Sequence, residues 1–185
     1  MYLEKHTDYG FSADGLGCDF EEEQHLLLKE HTYKFKDINE LDRKYTLGKC
    51  EVKEIDTLFM DYNEISECAD ADSDAFIQAL KEYESKYHNA EHCFKVVFIS
   101  KLELQKQYRN NGYGTELLNI VMGDMYSPRT LYLLEPCPIS HSKDDNKRNR
   151  YIKENMKQLK KFYRQFGYKS ITPKSQYMWC VRGSR

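Results

Sequence analysis

LELQKQYRNNGYGTELLNIVMGDM, residues 102–125, decides how the rest of the chain is read. An apolar stretch runs into Arg-x-x-Gly-x-Gly and straight out into the i, i+3, i+4 spacing of an amphipathic helix. A strand–turn–helix of this kind presents several backbone N–H groups at the mouth of a helix, where unpaired donors and the helix dipole favour anions. Gly112 and Gly114 can take backbone angles closed to other residues and let a ligand approach the main chain, while Arg109 adds a planar cation. The guest this favours is a pyrophosphate. A dinucleotide fingerprint would need a third glycine where Leu117 stands, and no Gly-Lys-Ser/Thr is present for a P-loop.

Working outward, the strand feeding the turn spans residues 94–104, with the β-branched and aromatic run VVFI at its centre. After the turn, Leu117, Leu118, Val121 and Met125 form the apolar stripe of a helix packed on a sheet, which Pro128 ends. Residues 130–135 make a second strand, so strand, helix and strand form a βαβ unit with parallel strands. Cys137-Pro138 terminates it. Residues 139–150 are polar and lead into a helix over 147–166, with Ile152, Met156, Leu159, Tyr163 and Phe166 on one face and Gly167 as its C-cap. Two short strands, 168–171 and 175–181, finish the sheet in an antiparallel sense.

The N-terminal half is less patterned. Residues 1–23 show no sustained period and read as an irregular lead-in. Residues 26–35 open with three leucines and then alternate, which predicts a strand, although a helix remains open there. Residues 45–59 predict a second strand with a turn at Gly48 near its start. Asp72 or Ser73 caps a helix running to about Tyr87, with Phe76, Leu80 and Tyr83 at helical spacing. Asp70, Asp72 and Asp74 alternate as in a calcium loop, yet Ala75 stands where such a loop needs glycine and Lys81 where it needs a carboxylate.

Bulk properties bound the rest. A chain of 185 residues builds one core, so residues 1–185 are expected to form a single domain, with 94–182 carrying the site. With 28 Lys+Arg against 30 Asp+Glu, net charge supplies no reason to expect nucleic acid or a membrane as main partner, though local patches are not excluded by it. Cys18, Cys50, Cys68, Cys93, Cys137 and Cys180 lack metal-ligand spacing and read as free thiols, so no metal is expected. The N-terminus has no signal-peptide core and no run is apolar enough to span a membrane, which predicts a cytoplasmic protein.

Two motifs in order, Arg109-x-x-Gly112-x-Gly114 and Phe162-Tyr163-x-x-x-Gly167-Tyr168, give residues 94–181 a resemblance to the GNAT superfamily of acyl-CoA-dependent N-acetyltransferases. The resemblance implies an α/β fold: a mixed sheet whose parallel strands splay apart, flanked by helices, with acetyl-CoA as co-substrate. It implies that the backbone of Leu102, Glu103 and Leu104 pairs with the pantetheine arm. Asn110, Asn111, Gly112, Tyr113, Gly114 and Thr115, with Arg109, would hold the pyrophosphate. Transfer to a primary amine would be direct, in a ternary complex, with Tyr163 as general acid. The same resemblance leaves room for a homodimer and for an acceptor that is a small molecule or a protein.

The base is not named by a motif. The histone-modifying branch of the family carries a glutamate in the strand before the cradle, at a position occupied here by Phe98. Glu103, Glu135 and His141 are the titratable residues within reach of the cleft. Each alternative reading is structural: Tyr163 is one of 15 tyrosines and can be a core aromatic, and the carboxylates can be solvated surface groups. Cys137, near the strand end, is the thiol expected closest to the cleft, and the sequence shows no adjacent base that would make it a nucleophile. The segment 139–150 is longer than the family usually has there and borders the acceptor side. The competing function is a non-catalytic acyl-CoA-binding or interaction module.

Overall fold

Alternation of Tyr33 and Phe35 with Thr32 and Lys34 lets a strand present one apolar face, and residues Leu26–Ile38 do form a strand, β2, which removes the helical alternative. The computed structural model describes residues 2–12, 26–38, 44–58, 60–138 and 145–182. Tyr2–Ser12, read from the sequence as part of an irregular lead-in, is a strand, β1, paired antiparallel along β2. Its residues lack apolar alternation because β1 closes the edge of the sheet and is half solvated. Strand β3, Lys44–Asp56, completes an antiparallel meander with β2.

Helix α1, Tyr62–Asp72, is absent from the sequence reading although its start is locally encoded. Asp61 accepts from the N–H groups of Asn63 and Glu64 while the Glu64 carboxylate accepts from the Asp61 N–H, a reciprocal capping box. Ser73 ends α1 and caps α2, Asp74–Tyr87, its Oγ accepting from the Phe76 N–H at 3.3 Å. The three alternating aspartates therefore sit at a helix elbow, where Asp72 pairs with Lys53.

Strand β4, Lys95–Leu104, leads through a short 3-10 turn to α3, Tyr113–Asp124, and back to β5, Thr130–Leu134. Helix α4, Asp145–Arg164, begins two residues before its expected start, and the hairpin β6, Lys169–Ser170, and β7, Met178–Arg182, closes the sheet. The result is a seven-stranded mixed sheet in the order β1-β2-β3-β4-β5-β7-β6, antiparallel throughout except where β4 and β5 run parallel. It is the α/β architecture with splayed parallel strands expected from the sequence.

The two faces carry separate cores. Val97, Ile99, Tyr132 and Leu134 meet Leu117 and Val121 of α3 and Tyr163 of α4 on one side. Val96, Phe98, Leu131 and Leu133 meet Ile65 of α1 and Phe76 and Leu80 of α2 on the other, where Phe76 and Phe98 stack at 5.0 Å. Strand β5, TLYLL, is buried at every position, as a central strand covered on both faces must be. Cys50, Cys68, Cys93 and Cys180 are buried free thiols, and Cys137 is exposed. Among the described residues no helix is long and apolar enough to cross a membrane, and none form a group of three His, Cys, Asp or Glu placed to hold a metal.

On the α3 face, at the end of the sheet opposite the β4–α3 turn, Glu54 is buried with the Lys95 ammonium at 3.2 Å, the His31 ring at 3.3 Å and Lys29 at 3.8 Å. Burial alone would raise the Glu54 carboxyl, but His31 and Lys95 outweigh it and hold it at about 2, below the ordinary 4.5. A carboxyl depressed in the folded state stabilises the fold above its unfolded pKa and loses that contribution as pH falls toward its folded one. Acid titration followed by circular dichroism is therefore expected to show stability lost between about pH 4.5 and 2, by on the order of 2–3 kcal/mol from this group. Glu54→Gln is expected to flatten that segment of the curve.

Candidate active site

The site begins with one extra residue. Glu51 pairs with Lys101 and Val52 with Ile99, so Ser100 is a bulge in β4, tied by its hydroxyl to the Glu51 carbonyl at 3.1 Å. The bulge shifts the alternation by one position. Val97 and Ile99 face the α3 side before it and Leu102 and Leu104 face the same side after it, while Lys101 and Glu103 turn to the opposite face.

The bulge also marks where β4 and β5 part. Their parallel ladder ends at Ile99 with Leu134, and beyond it Glu135-Pro136 leaves the sheet while β4 continues to Leu104, paired only with β3. The edge of Leu102, Glu103 and Leu104 facing β5 thus has no strand partner among the described residues. An open parallel edge is a ready template for an extended ligand carrying amides.

At the tip of β4, Gln105 donates its N–H to the Leu47 carbonyl at 2.9 Å and Arg109 Nε donates to the Leu104 carbonyl at 3.0 Å. Arg109 is therefore a brace across the turn, and among the described residues no carboxylate pairs with its guanidinium. The chain then passes through Asn110 at φ 64° and Gly112 at φ 84°, two left-handed residues flanking Asn111. Such a sequence curls successive N–H groups toward one concavity. Among the described residues, no hydrogen bond is accepted from the N–H of Asn110, Asn111, Gly112, Tyr113 or Gly114. The N–H of Thr115 is different, because it already bonds the Gly112 carbonyl at 2.9 Å. Gly112 is the N-cap of α3 without a side-chain cap, so the cradle has the free donors and the dipole that favour an anion.

Gly114 has neither a left-handed backbone nor a crowded surrounding: a Cβ there would lie 3.4 Å from Leu104 Cδ1 and 3.7 Å from the Phe162 ring, which are ordinary contacts, so the fold itself does not require glycine at this position. Phe162 also packs edge-on to Tyr163 at 5.1 Å.

Tyr163 is buried, 5% exposed, in the core of the α3–α4 face, with the Tyr168 ring at 5.8 Å. No hydrogen bond to its hydroxyl is found among the described residues. Burial, with the Cys50 thiol as a smaller contribution, pushes the phenol well above its ordinary range. Cys50 is the cross-strand partner of Leu102, which puts Tyr163 beneath β3 and β4 at the level of the open edge.

The other candidates separate. Glu103 lies on the opposite sheet face, half-buried, and its carboxylate pairs with Lys101 at 3.2 Å. Glu135 stands directly where β5 leaves the ladder, half-buried, and burial raises its carboxyl above the ordinary value; among the described residues no cation pairs with it. Tyr177 lies close to it, its phenol pushed up by burial first and by the charges of Glu135 and Glu82 as well. Tyr177 was not singled out from the sequence, since its neighbourhood with Glu135 depends on the pairing of β7 with β5. His141, with the rest of residues 139–144, and Cys18 lie outside the described residues.

No family model matches this chain, and no curated protein does. Among solved structures it is similar to a KacTA–DNA complex, at 14% identity over 97% of this chain and 93% of that one, with a TM-score of 0.43. A point mutant of KacT is similar at 10% identity over 82% and 71%, with a TM-score of 0.42. Neither likeness is close enough to carry a function to this chain, and the reading of the site rests on its own geometry.

Proposed function

We propose that this protein is a single-domain acyl-CoA-dependent N-acyltransferase of GNAT type that transfers an acetyl group to a primary amine. The observation that carries the reading is the run of five free backbone N–H groups, Asn110 to Gly114, placed beside the unpartnered edge of Leu102, Glu103 and Leu104. A pyrophosphate joined to an extended chain of amides is the chemistry that uses both: the diphosphate in the cradle, the pantetheine amides along β4. The thioester then lies in the splay between β4 and Glu135.

The reaction needs the amine nitrogen to attack the thioester carbonyl, forming C–N and breaking C–S, with one proton leaving the amine and one reaching the departing thiolate. Glu135, raised by burial and unpaired, is the group suited to take the amine proton directly or through water. Glu103, whose carboxylate is already paired with Lys101, is the less suited carboxylate. Tyr163 keeps its proton at neutral pH, and its role is hydrogen-bond donation to the sulfur as charge develops; the proton the thiolate takes up is the one lost by the amine, returned from Glu135 through water.

The test is calorimetric titration with acetyl-CoA followed by thiol-release assay over chemically diverse amines. Tyr163→Phe is expected to lower kcat roughly 10- to 100-fold with little change in the KM for acetyl-CoA. Glu135→Gln is expected to remove the acid limb of the pH–rate profile: the base must be ionised, so kcat/KM falls as pH drops through a pKa above the ordinary carboxylate value. Binding of acetyl-CoA without turnover on any amine, and indifference to Tyr163→Phe, would return the protein to the class of non-catalytic binding modules.

A further inference from the structure

Helix α4, DNKRNRYIKENMKQLKKFYR, holds eight Lys and Arg against two acids in a chain whose net charge is −2. The cations are not scattered. Arg150, Lys153, Lys157, Lys161 and Arg164 follow i, i+3, i+7, i+11, i+14, which sets them along one helix face, and all are exposed. The opposite face, with Leu159, Phe162 and Tyr163, is packed into the core. The stripe is about 21 Å long at 1.5 Å per residue.

Ordinary explanations account for only part of it. Lys161 and Arg164 sit in the last turn, where the helix dipole favours cations, but Arg150, Lys153 and Lys157 lie beyond the reach of that effect. Arg150 pairs with Glu154 at 2.8 Å, whereas no carboxylate among the described residues pairs with Lys153, Lys157, Lys161 or Arg164. Lys160 is outside the stripe, its ammonium donating to the Ser175 carbonyl at 2.8 Å.

The stripe ends in a cavity. Arg164 is both its last cation and part of the wall of an open pocket of about 580 Å³ lined also by Lys86, Lys169, Ser170 and Thr172. Lys86 is held there by a hydrogen bond to the Ile171 carbonyl. A row of cations thus leads into a depression lined by further cations and the Ser170 hydroxyl, while Thr172, also in its lining, donates its hydroxyl to the Glu82 carboxylate at 3.4 Å.

We infer that the outer face of α4 and the pocket at its C-terminal end form a docking surface for the phosphodiester backbone of a nucleic acid. Charge complementarity selects the occupant. A protein interface is depleted of charge at its centre and built on apolar anchors, and this face has charge at its centre with Tyr151, near one end, as its exposed large apolar side chain. A membrane-seated helix needs an apolar face free for lipid, and that of α4 is inside the core. A backbone with a charge at every nucleotide, about 3.4 Å apart along a strand, matches a continuous basic line. The near-zero net charge of the whole chain conceals this patch, because the remaining residues are net acidic.

The experiment uses the full chain and fluorescence anisotropy with a labelled 20-nucleotide single-stranded RNA and, separately, a 20-base-pair DNA duplex, at 50 and 200 mM salt. Binding to at least one of them is expected, weakening between the two salts by about 100-fold for the single strand or about 500-fold for the duplex if five phosphates are contacted. The variant K153E/K157E/K161E is expected to lose at least tenfold in affinity at 50 mM salt while its melting temperature and acetyl-CoA titration stay as in the wild type. Absence of salt-dependent binding to either nucleic acid overturns the inference, as does equal binding by the variant. Tighter binding to poly-glutamate or to phosphatidylserine vesicles than to both nucleic acids also overturns it.

Discussion

Gly112→Asp is expected to weaken acetyl-CoA binding roughly 1000-fold while leaving the protein folded. Gly112 has φ 84°, caps α3 with its carbonyl, and has no atom within 4 Å of where a Cβ would be, so a side chain fits in space and is opposed by the backbone angle and by charge. Aspartate tolerates left-handed geometry better than most residues, and at a helix N-terminus a carboxylate is stabilising. The fold therefore survives. Binding of the proposed ligand does not, because a fixed negative charge would occupy the concavity of the Asn110 to Gly114 N–H groups, where the diphosphate is proposed to sit. Two like charges about 5 Å apart at an intermediate dielectric repel by roughly 3 kcal/mol, and with residual strain the loss is about 4 kcal/mol, roughly 1000-fold in Kd. Gly112→Ala carries the strain without the charge and is expected to cost only about fivefold. Calorimetry on the three proteins separates the terms; equal affinity across them would remove the cradle assignment.

Gly48→Ala is expected to have the largest effect on stability. The sequence suggested a turn at Gly48, but it lies inside β3 opposite Leu104, and a Cβ there would meet the Glu103 carbonyl and Leu104 Cδ2 at 2.4 Å each. One of those atoms is backbone, so β4 must move. Overpacking of this kind costs about 2–3 kcal/mol, which for a chain of this size lowers Tm by roughly 5–10 °C. The displaced segment carries the Leu104 carbonyl that Arg109 braces and the Gln105 N–H bonded to Leu47. Affinity for acetyl-CoA should fall together with Tm in a thermal-shift and calorimetric comparison. An unchanged Tm would show that β3 and β4 can separate there without cost.

How much was legible beforehand varied with the range of the interaction. Residues 94–135 were readable because strand, cradle and helix are specified by residues a few positions apart. The Asp61–Glu64 capping box is equally local, yet α1 was missed because its apolar residues, Ile65, Cys68 and Ala69, are few and one is a small alanine. β1 was missed for the opposite reason: an edge strand of Lys, His, Thr and Asp is held by the ladder to β2 and leaves little apolar signature. Glu103 and Glu135 looked equivalent in sequence and are not, since the bulge at Ser100 turns Glu103 into an ion pair with Lys101 while, among the described residues, no cation pairs with Glu135 at the end of the ladder.

By itself the sequence determined the glycine cradle at the start of α3, the βαβ unit around it and the basic run of α4, because each is set by neighbours within one or two turns of chain. Only the tertiary structure decided that β4 carries an extra residue and parts from β5, that Gly48 admits the tip of β4, and that Lys86 and Lys169 join Arg164 around one cavity. Those features depend on which distant segments are pressed together, through register, close backbone approach and charge brought across the sheet edge, and none of these leaves a periodic mark along the chain.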